Sequence, residues 1–164
     1  MFYTIGIYVL YVKRGKRGLR MEERKKEIEE MKKRLWNWGN SMEQFNWKEE
    51  ELQKMQVFHE MQKKVWEENA TEKSQEELKQ MEKEYRKEVG RLRIEMVEIL
   101  REKGRIDEMI RRLDTDEQTF LQLRFEKGNG FDYISMKMHL SRATLFRMQE
   151  RVLEKMIGMK TDRD

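Results

Sequence analysis

The 164-residue chain has no proline and no cysteine, and it contains only nine glycines. Without cysteine it can form no disulfide, thiolate zinc site or cysteine nucleophile. Apolar residues make up only 37% of the chain, which argues against a large buried core. Charged residues reach 41%, and the abundant Glu, Lys, Arg, Gln and Met are good helix formers. We therefore expect an all-α, cytoplasmic protein with long exposed helices and few loops.

Residues that support catalysis are also scarce. The chain has two histidines, His59 and His139, which lie far apart in the sequence. The sequence contains no phosphate-binding Walker A pattern, no HExxH zinc pattern and no GxSxG nucleophile elbow. The acidic residues alternate with lysines, as they do on solvated helix faces. We predict no catalytic residues, no metal, no cofactor and no enzyme activity.

The net charge of +4 comes from the first twenty residues. Residues 1–12 are mostly apolar, and the basic residues follow them. Twelve residues are too few for a membrane span, and a signal peptide would place its charges before the apolar run. We predict that residues 1–20 form a disordered or non-native leader. A membrane-surface anchor is the alternative, although a membrane partner is not expected.

Residues 21–112 are predicted to be a long helical or coiled-coil region. The stretch 36–40 contains Asn and Gly and predicts a turn. Ser41 and Gln44 have the spacing of a capping box that starts a second helix. That helix places seven apolar residues on one broad face: Met42, Phe45, Leu52, Met55, Phe58, Val65 and Trp66.

A third helix carries the most regular pattern in the chain. From Tyr85 to Leu113 its seam residues alternate in steps of four and three, and all except Lys103 are apolar. They are Tyr85, Val89, Leu92, Met96, Ile99, Lys103, Ile106, Ile110 and Leu113. This heptad pattern is typical of a helix that packs along another helix. The seam residues can pack against another helix of the same chain in a helical hairpin. They can also pack against a second copy, which would form a homodimer through residues 78–113.

Residues 113–157 predict a bundle of shorter helices, and residues 158–164 a disordered tail. Thr115 and Gln118 have capping-box spacing, and residues 128–130 (Gly-Asn-Gly) predict a turn. A short helix from Phe131 to Met138 and a tight turn then lead to Ser141, a good N-cap for the last helix. The buried side of that helix is predicted to hold Leu145, Met148, Val152, Leu153 and Met156.

A short helix, a three- to four-residue turn and a second helix make the helix-turn-helix plan, in which the second helix enters the DNA major groove. The residues predicted to contact bases are Ser141, Arg142, Ala143, Phe146, Arg147 and Glu150. The residues predicted to contact phosphates are Lys127, Lys137, Thr144 and Arg151. Arginine can bind guanine with two hydrogen bonds, and apolar side chains can touch the thymine methyl group.

Three segments resemble the C-terminal helix-turn-helix of bacterial sigma factors: Leu123-Arg124-Phe125, Tyr133-Ile134-Ser135 and residues 138–147. The resemblance covers about Leu113–Ile157. His139 stands where that family has a turn glycine, and Ser135 where it has alanine. A charged helical region followed by this module is similar to phage and prophage late-gene regulators of the ArpU/RinA type. The resemblance implies a sequence-specific DNA-binding transcription activator whose partners are double-stranded DNA and RNA polymerase.

Two alternatives remain open at this stage. A phage DNA-packaging component, such as a small terminase subunit, also uses a helix-turn-helix. A structural coiled-coil protein would use the C-terminal bundle for packing alone, without binding DNA.

Overall fold

The computed structural model of the chain describes residues 3–69 and 72–161, with side chains described for residues 20–69 and 75–159. Within those residues the chain is helical and contains no strand. The predicted all-α fold class is confirmed. None of the helices in the described part of the chain is long and apolar enough to cross a membrane.

Helix α1 spans Tyr3–Gly39, α2 Ser41–Glu68 and α3 Glu72–Ile110. The shorter elements follow: α4 spans Thr115–Leu121, a π-helical segment Gln122–Glu126, α5 Phe131–Met138 and α6 Arg142–Thr161. The chain divides into two compact units. The terminal unit consists of Met1–Gly39 and Met109–Asp164, and the central unit of Asn40–Glu108.

In the central unit, side-chain contacts join α2 to α3 in antiparallel order. Lys48 pairs with Glu95, and further along α2 His59 contacts Glu82 through Nε2 at 2.8 Å. The buried His59 ring also stacks on Tyr85, with ring centroids 3.8 Å apart. Lys48 and His59 are eleven residues apart, about three helical turns, so both lie on the same side of α2.

The seam of α3 is largely covered within the chain. Val89, Leu92 and Ile106 are buried. Between residues 78 and 113, the exposed large apolar side chains are instead Ile94, Val97 and Leu100. The homodimer through residues 78–113 remains a prediction, but the seam that suggested it is not an open surface.

The broad apolar face predicted for α2 is divided in the structure. Phe45, Leu52 and Trp66 are half-buried, whereas Phe58 and Val65 are exposed. The apolar residues predicted to share one broad face therefore differ in exposure. The contacts with α3 cover one side of α2 only, and the remaining apolar residues lie on another side.

In the terminal unit, α1 packs against α6 and the π-helical segment. Arg24 pairs with Glu154 at 3.6 Å, and the Trp36 ring meets the edge of Phe125 with centroids 5.0 Å apart. At Gly39 the approach is closest, because a Cβ built there would lie 1.9 Å from the Phe125 carbonyl oxygen. Only glycine fits against backbone at this distance.

Several predicted helix ends are corrected by the structure. The predicted turn over residues 36–40 is reduced to Asn40, because α1 continues through the buried Trp38 to Gly39. Ser41 is not a cap; it is the first residue of α2 and is buried. Burial of residues around the predicted turn outweighs the local preference of Asn and Gly.

The capping box of α4 begins one residue earlier than predicted. Asp114 is the N-cap, and Glu117 accepts a hydrogen bond from the Asp114 backbone N–H at 3.2 Å. Gln118 instead donates to the Leu113 carbonyl. Asp114 and Glu117 have the same capping-box spacing of three residues as the predicted pair, Thr115 and Gln118.

At the two ends of the chain, helices extend into the predicted leader and into the predicted disordered tail. Helix α1 begins at Tyr3, so its backbone includes most of the predicted leader 1–20, while the side chains before Arg20 lie outside the described residues. Helix α6 continues to Thr161, beyond the predicted start of the tail at residue 158. Residues 162–164 lie outside the described residues.

Candidate nucleic-acid interface

The connection between α5 and α6 is a three-residue turn. His139 ends α5 in the left-handed conformation, with φ 56° and ψ 37°. Its backbone N–H donates to the Ser135 carbonyl, and the Ser135 hydroxyl donates to the Leu140 carbonyl at 2.5 Å. Histidine tolerates this conformation better than most residues, which explains how it occupies a position suited to glycine.

Ser141 caps the start of α6, as the sequence predicts. Its hydroxyl accepts a hydrogen bond from the Thr144 backbone N–H at 3.1 Å and lies 2.8 Å from the Thr144 hydroxyl. The Ser141 carbonyl accepts from the Leu145 N–H at 3.0 Å. These bonds satisfy orphan donors in the first turn and determine where α6 begins.

Helices α5 and α6 are held together by apolar side chains predicted to be internal. Ile134 on α5 and Leu145 on α6 are completely buried. The remaining buried residues of α6 include Met148, Val152, Leu153 and Met156. Burial of this side determines which residues at the start of α6 remain in solvent.

All six residues predicted to contact bases are exposed. They are Ser141, Arg142, Ala143, Phe146, Arg147 and Glu150. Phe146 is 47% exposed and also stacks on Phe131 of α5, with centroids 4.2 Å apart and planes 16° apart. This stack holds the Phe146 ring in one orientation at the surface.

The arginines of this face differ in their contacts. Arg142 pairs with Asp132 in the first turn of α5, at 3.0 Å between Nη1 and Oδ1. Both side chains are exposed, so the pair is weak and can exchange partners. Arg147 is exposed and has no ion-pair partner among the described residues.

The four residues predicted to contact phosphates fall into two groups. Lys127 and Lys137 are exposed. Thr144 is half-buried and already bonded to the Ser141 hydroxyl. Arg151 donates to Glu117 at 3.2 Å, so its guanidinium has a partner inside the protein.

Glu117 is the charged group that sequence reasoning did not single out. It is 1% exposed and accepts hydrogen bonds from Lys155 at 2.8 and 2.9 Å, in addition to those from Arg151 and the Asp114 N–H. The bond to Glu117 raises the pKa of the Lys155 amine above its ordinary value. Glu117 thereby ties the start of α4 to α6, and the Asp-x-x-Glu spacing is the only sequence signal for it.

A second group that the sequence did not predict surrounds Arg124. Its guanidinium carbon lies 5.2 Å from the centroid of Trp36 and 5.0 Å from that of Phe131, a cation–π contact with each ring. Arg124 also donates to the Asn129 carbonyl at 3.0 Å. These contacts connect α1, the π-helical segment and the loop before α5. Arg124 also packs on Phe131, the ring on which Phe146 stacks.

No group of three or more His, Asp or Glu side chains among the described residues could hold a metal ion. The two histidines act separately, His59 between α2 and α3 and His139 in the turn. Comparisons of the chain with protein-family models, with curated proteins and with solved structures found no match.

Proposed function

We propose that the protein is a sequence-specific, double-stranded DNA-binding transcription regulator that inserts the start of α6 into the major groove. One observation carries the proposal. The side of α6 opposite its buried residues presents Arg142, Ala143, Phe146 and Arg147 to solvent, next to a short turn that holds α5 across it.

Each exposed residue has a role in this proposal that follows from its chemistry. Arg142 and Arg147 can each donate two hydrogen bonds to the O6 and N7 atoms of a guanine. Phe146 and Ala143 offer apolar contact to a thymine methyl group. Ser141 and Glu150 lie at the two ends of the exposed face, within reach of neighbouring base edges.

The phosphate contacts of the proposed complex come first from Lys127 and Lys137, whose side chains are exposed. Arg151 and Thr144 contribute only if they exchange their present partners for phosphate oxygens. Because these basic residues are few, we expect only a modest dependence of the affinity on salt.

The finer proposal is an activator of phage or prophage late genes, of the ArpU/RinA type, that also contacts RNA polymerase. It rests on the resemblance of residues 113–157 to the sigma-factor module. In this proposal the central unit mediates dimerisation or contacts the polymerase.

The test begins with selection of bound duplexes from a random DNA pool with the full chain. Arg142→Ala combined with Arg147→Ala is then compared with wild type on the selected duplex. Each lost base contact costs about 1–3 kcal/mol, so we expect affinity to fall at least thirtyfold while circular dichroism is unchanged.

Arg93→Ala with Arg101→Ala is the matched control, because it removes two exposed arginines from α3 and the same net charge. The control variant should bind DNA nearly as wild type does. Equal losses in the two variants would contradict a role for α6. If the wild-type chain shows no salt-dependent retention on DNA, a structural coiled-coil function replaces the proposal, and a ring-like oligomer on DNA favours the packaging alternative.

A further inference from the structure

The central unit carries an exposed apolar stripe on the outer side of α2. Val57, Phe58, Met61 and Val65 are 58, 61, 63 and 58% exposed. With Gln53 and Lys54, the first three of these side chains line a shallow hollow on the helix surface. Soluble monomers rarely leave such a continuous apolar stripe in water.

This stripe lies on the side of α2 that faces away from α3. Lys48 and His59 mark the side in contact with α3. Val57 lies nine residues after Lys48, which is two and a half helical turns, so the two side chains point in opposite directions. The contacts between α2 and α3 leave Val57 and the rest of the stripe exposed.

The charges along α2 are arranged in complementary positions around Val57. Glu50 lies seven residues before Val57, and Lys64 lies seven residues after it. Seven residues are close to two turns, so both charges lie on the same side of the helix as Val57. Nearer the centre, Lys54 and Glu60 are each three residues from Val57, again with opposite charges.

This arrangement is complementary to itself only when a second copy runs antiparallel. A two-fold axis at Val57 sets Glu50 of one copy opposite Lys64 of the other, and Lys54 opposite Glu60. A parallel pair would instead set Glu50 against Glu50 and Lys64 against Lys64, which is repulsive. Two-fold symmetric contacts are also the commonest form of self-association.

We propose that α2 is the dimerisation helix of this protein, pairing antiparallel with α2 of a second copy around Val57, Phe58 and Met61. The apolar hollow supplies the burial, and the Glu50–Lys64 pairs, made twice by symmetry, determine the register and direction. This inference does not depend on DNA binding. It also assigns the dimer contact to a surface other than the seam of α3, whose Leu92 and Val89 are buried.

The test measures the mass of the full chain without DNA, by sedimentation equilibrium over a wide range of concentration. The wild type should reach twice the monomer mass. Phe58→Glu combined with Met61→Glu should weaken dimerisation about a hundredfold or more, because it buries charge at the centre of the contact. Circular dichroism checks that both proteins are helical.

Charge reversal at the surface tests the direction of pairing without disturbing the apolar residues. Glu50→Lys alone and Lys64→Glu alone should each weaken dimerisation about tenfold, because each creates two like-charge pairs. An equimolar mixture of these two variants should dimerise as wild type does, since both inter-chain pairs are then attractive. The double variant should also recover.

Glu98→Lys and Lys83→Glu are matched controls, because they reverse exposed charges on α3. They should leave the dimer unchanged. A wild-type chain that stays monomeric at every concentration would overturn the inference. A dimer that is equally strong in all the α2 variants, or a mixture no stronger than its two components, would overturn it as well.

Discussion

The terminal and central units of this protein bury apolar side chains to very different extents. Among the described side chains, the terminal unit has sixteen buried apolar residues and the central unit three, Val89, Leu92 and Ile106. In the terminal unit α4, α5 and α6 are short helices joined by tight connections, and α1 packs beside them. A pair of long helices has only one internal interface, whereas several short helices can surround a core.

The polar contacts of the two units differ in the same way. In the central unit the two carboxylates that pair with the other helix, Glu95 and Glu82, are only half-buried. In the terminal unit Glu117 is almost completely buried and satisfied by several donors. Stability in the terminal unit should therefore respond strongly to single substitutions, and stability in the central unit weakly.

The largest expected effect is that of Leu145→Ala in the terminal unit. Leu145 is completely buried, so its truncation should lower the free energy of unfolding by about 2–5 kcal/mol. Leu100→Ala in the central unit removes the same atoms from a side chain that is 44% exposed, and should cost less than about 1 kcal/mol. Urea denaturation measures both. Similar losses in the two variants would contradict the burial of Leu145 and the exposure of Leu100.

Two glycine substitutions, one in each unit, should change stability in opposite directions. Gly39→Ala places a methyl group against the Phe125 carbonyl and should destabilise the protein by about 1–3 kcal/mol. Gly90→Ala in α3 meets nothing within 4 Å and should stabilise it by about 0.5–1 kcal/mol, because alanine favours helix. Thermal denaturation should shift in opposite directions, and a stabilising Gly39→Ala would contradict the close approach.

A smaller effect is expected where a polar contact of the terminal unit restrains a proposed DNA-binding residue. Asp132→Asn releases Arg142 from an exposed ion pair and should raise DNA affinity about two- to fivefold, given the proposed function. Asp116→Asn changes the net charge equally at an exposed position and serves as the control. Fluorescence anisotropy on the selected duplex measures both. Equal gains would attribute the effect to net charge rather than to Arg142.

The smallest expected effect is the change of stability with pH. One ion pair of the central unit should lose its contribution in acid, and one of the terminal unit in base. Lys48 holds the pKa of Glu95 below its ordinary value of 4.5, so the pair stabilises the central unit above pH 4.5. The melting temperatures of wild type and Glu95→Gln should therefore converge as the solution is acidified through that lowered pKa.

Lys155 in the terminal unit behaves in the opposite direction. Its pKa is raised above 10.5 by Glu117, so its contribution is complete below pH 10.5 and is lost as the pH rises through the raised value. The melting temperatures of wild type and Lys155→Gln should converge as the solution is made alkaline through that raised pKa. A difference between wild type and Lys155→Gln that persists at strongly alkaline pH, or a difference for the Glu95 pair that persists in strong acid, would contradict the assignment of these contacts.

Much of the terminal unit could be predicted because its signals are local. The Ser141 cap, the turn at His139 and the buried side of α6 each depend on residues a few positions apart. The contacts of Asp132 with Arg142 and of Phe131 with Phe146 could not be predicted in the same way. They depend on the angle at which α5 crosses α6, which no local pattern specifies.

The apolar pattern of α2 shows a further limit of sequence reasoning. Phe45 and Phe58 both belong to the predicted apolar face of α2, but Phe45 is half-buried and Phe58 is exposed. Helical periodicity identifies apolar positions, but it does not say which of two neighbouring faces a partner helix covers. Which face is covered depends on how many helices pack against α2.

The all-α class, the positions of the short C-terminal helices and the residues capping α6 follow from the amino-acid sequence alone, because propensity and capping act over a few residues. The tertiary structure alone decided that α1 packs with the C-terminal helices, that Gly39 touches the Phe125 backbone and that Val57 faces solvent. These features join residues far apart in the chain, so they depend on how whole helices pack rather than on any local preference.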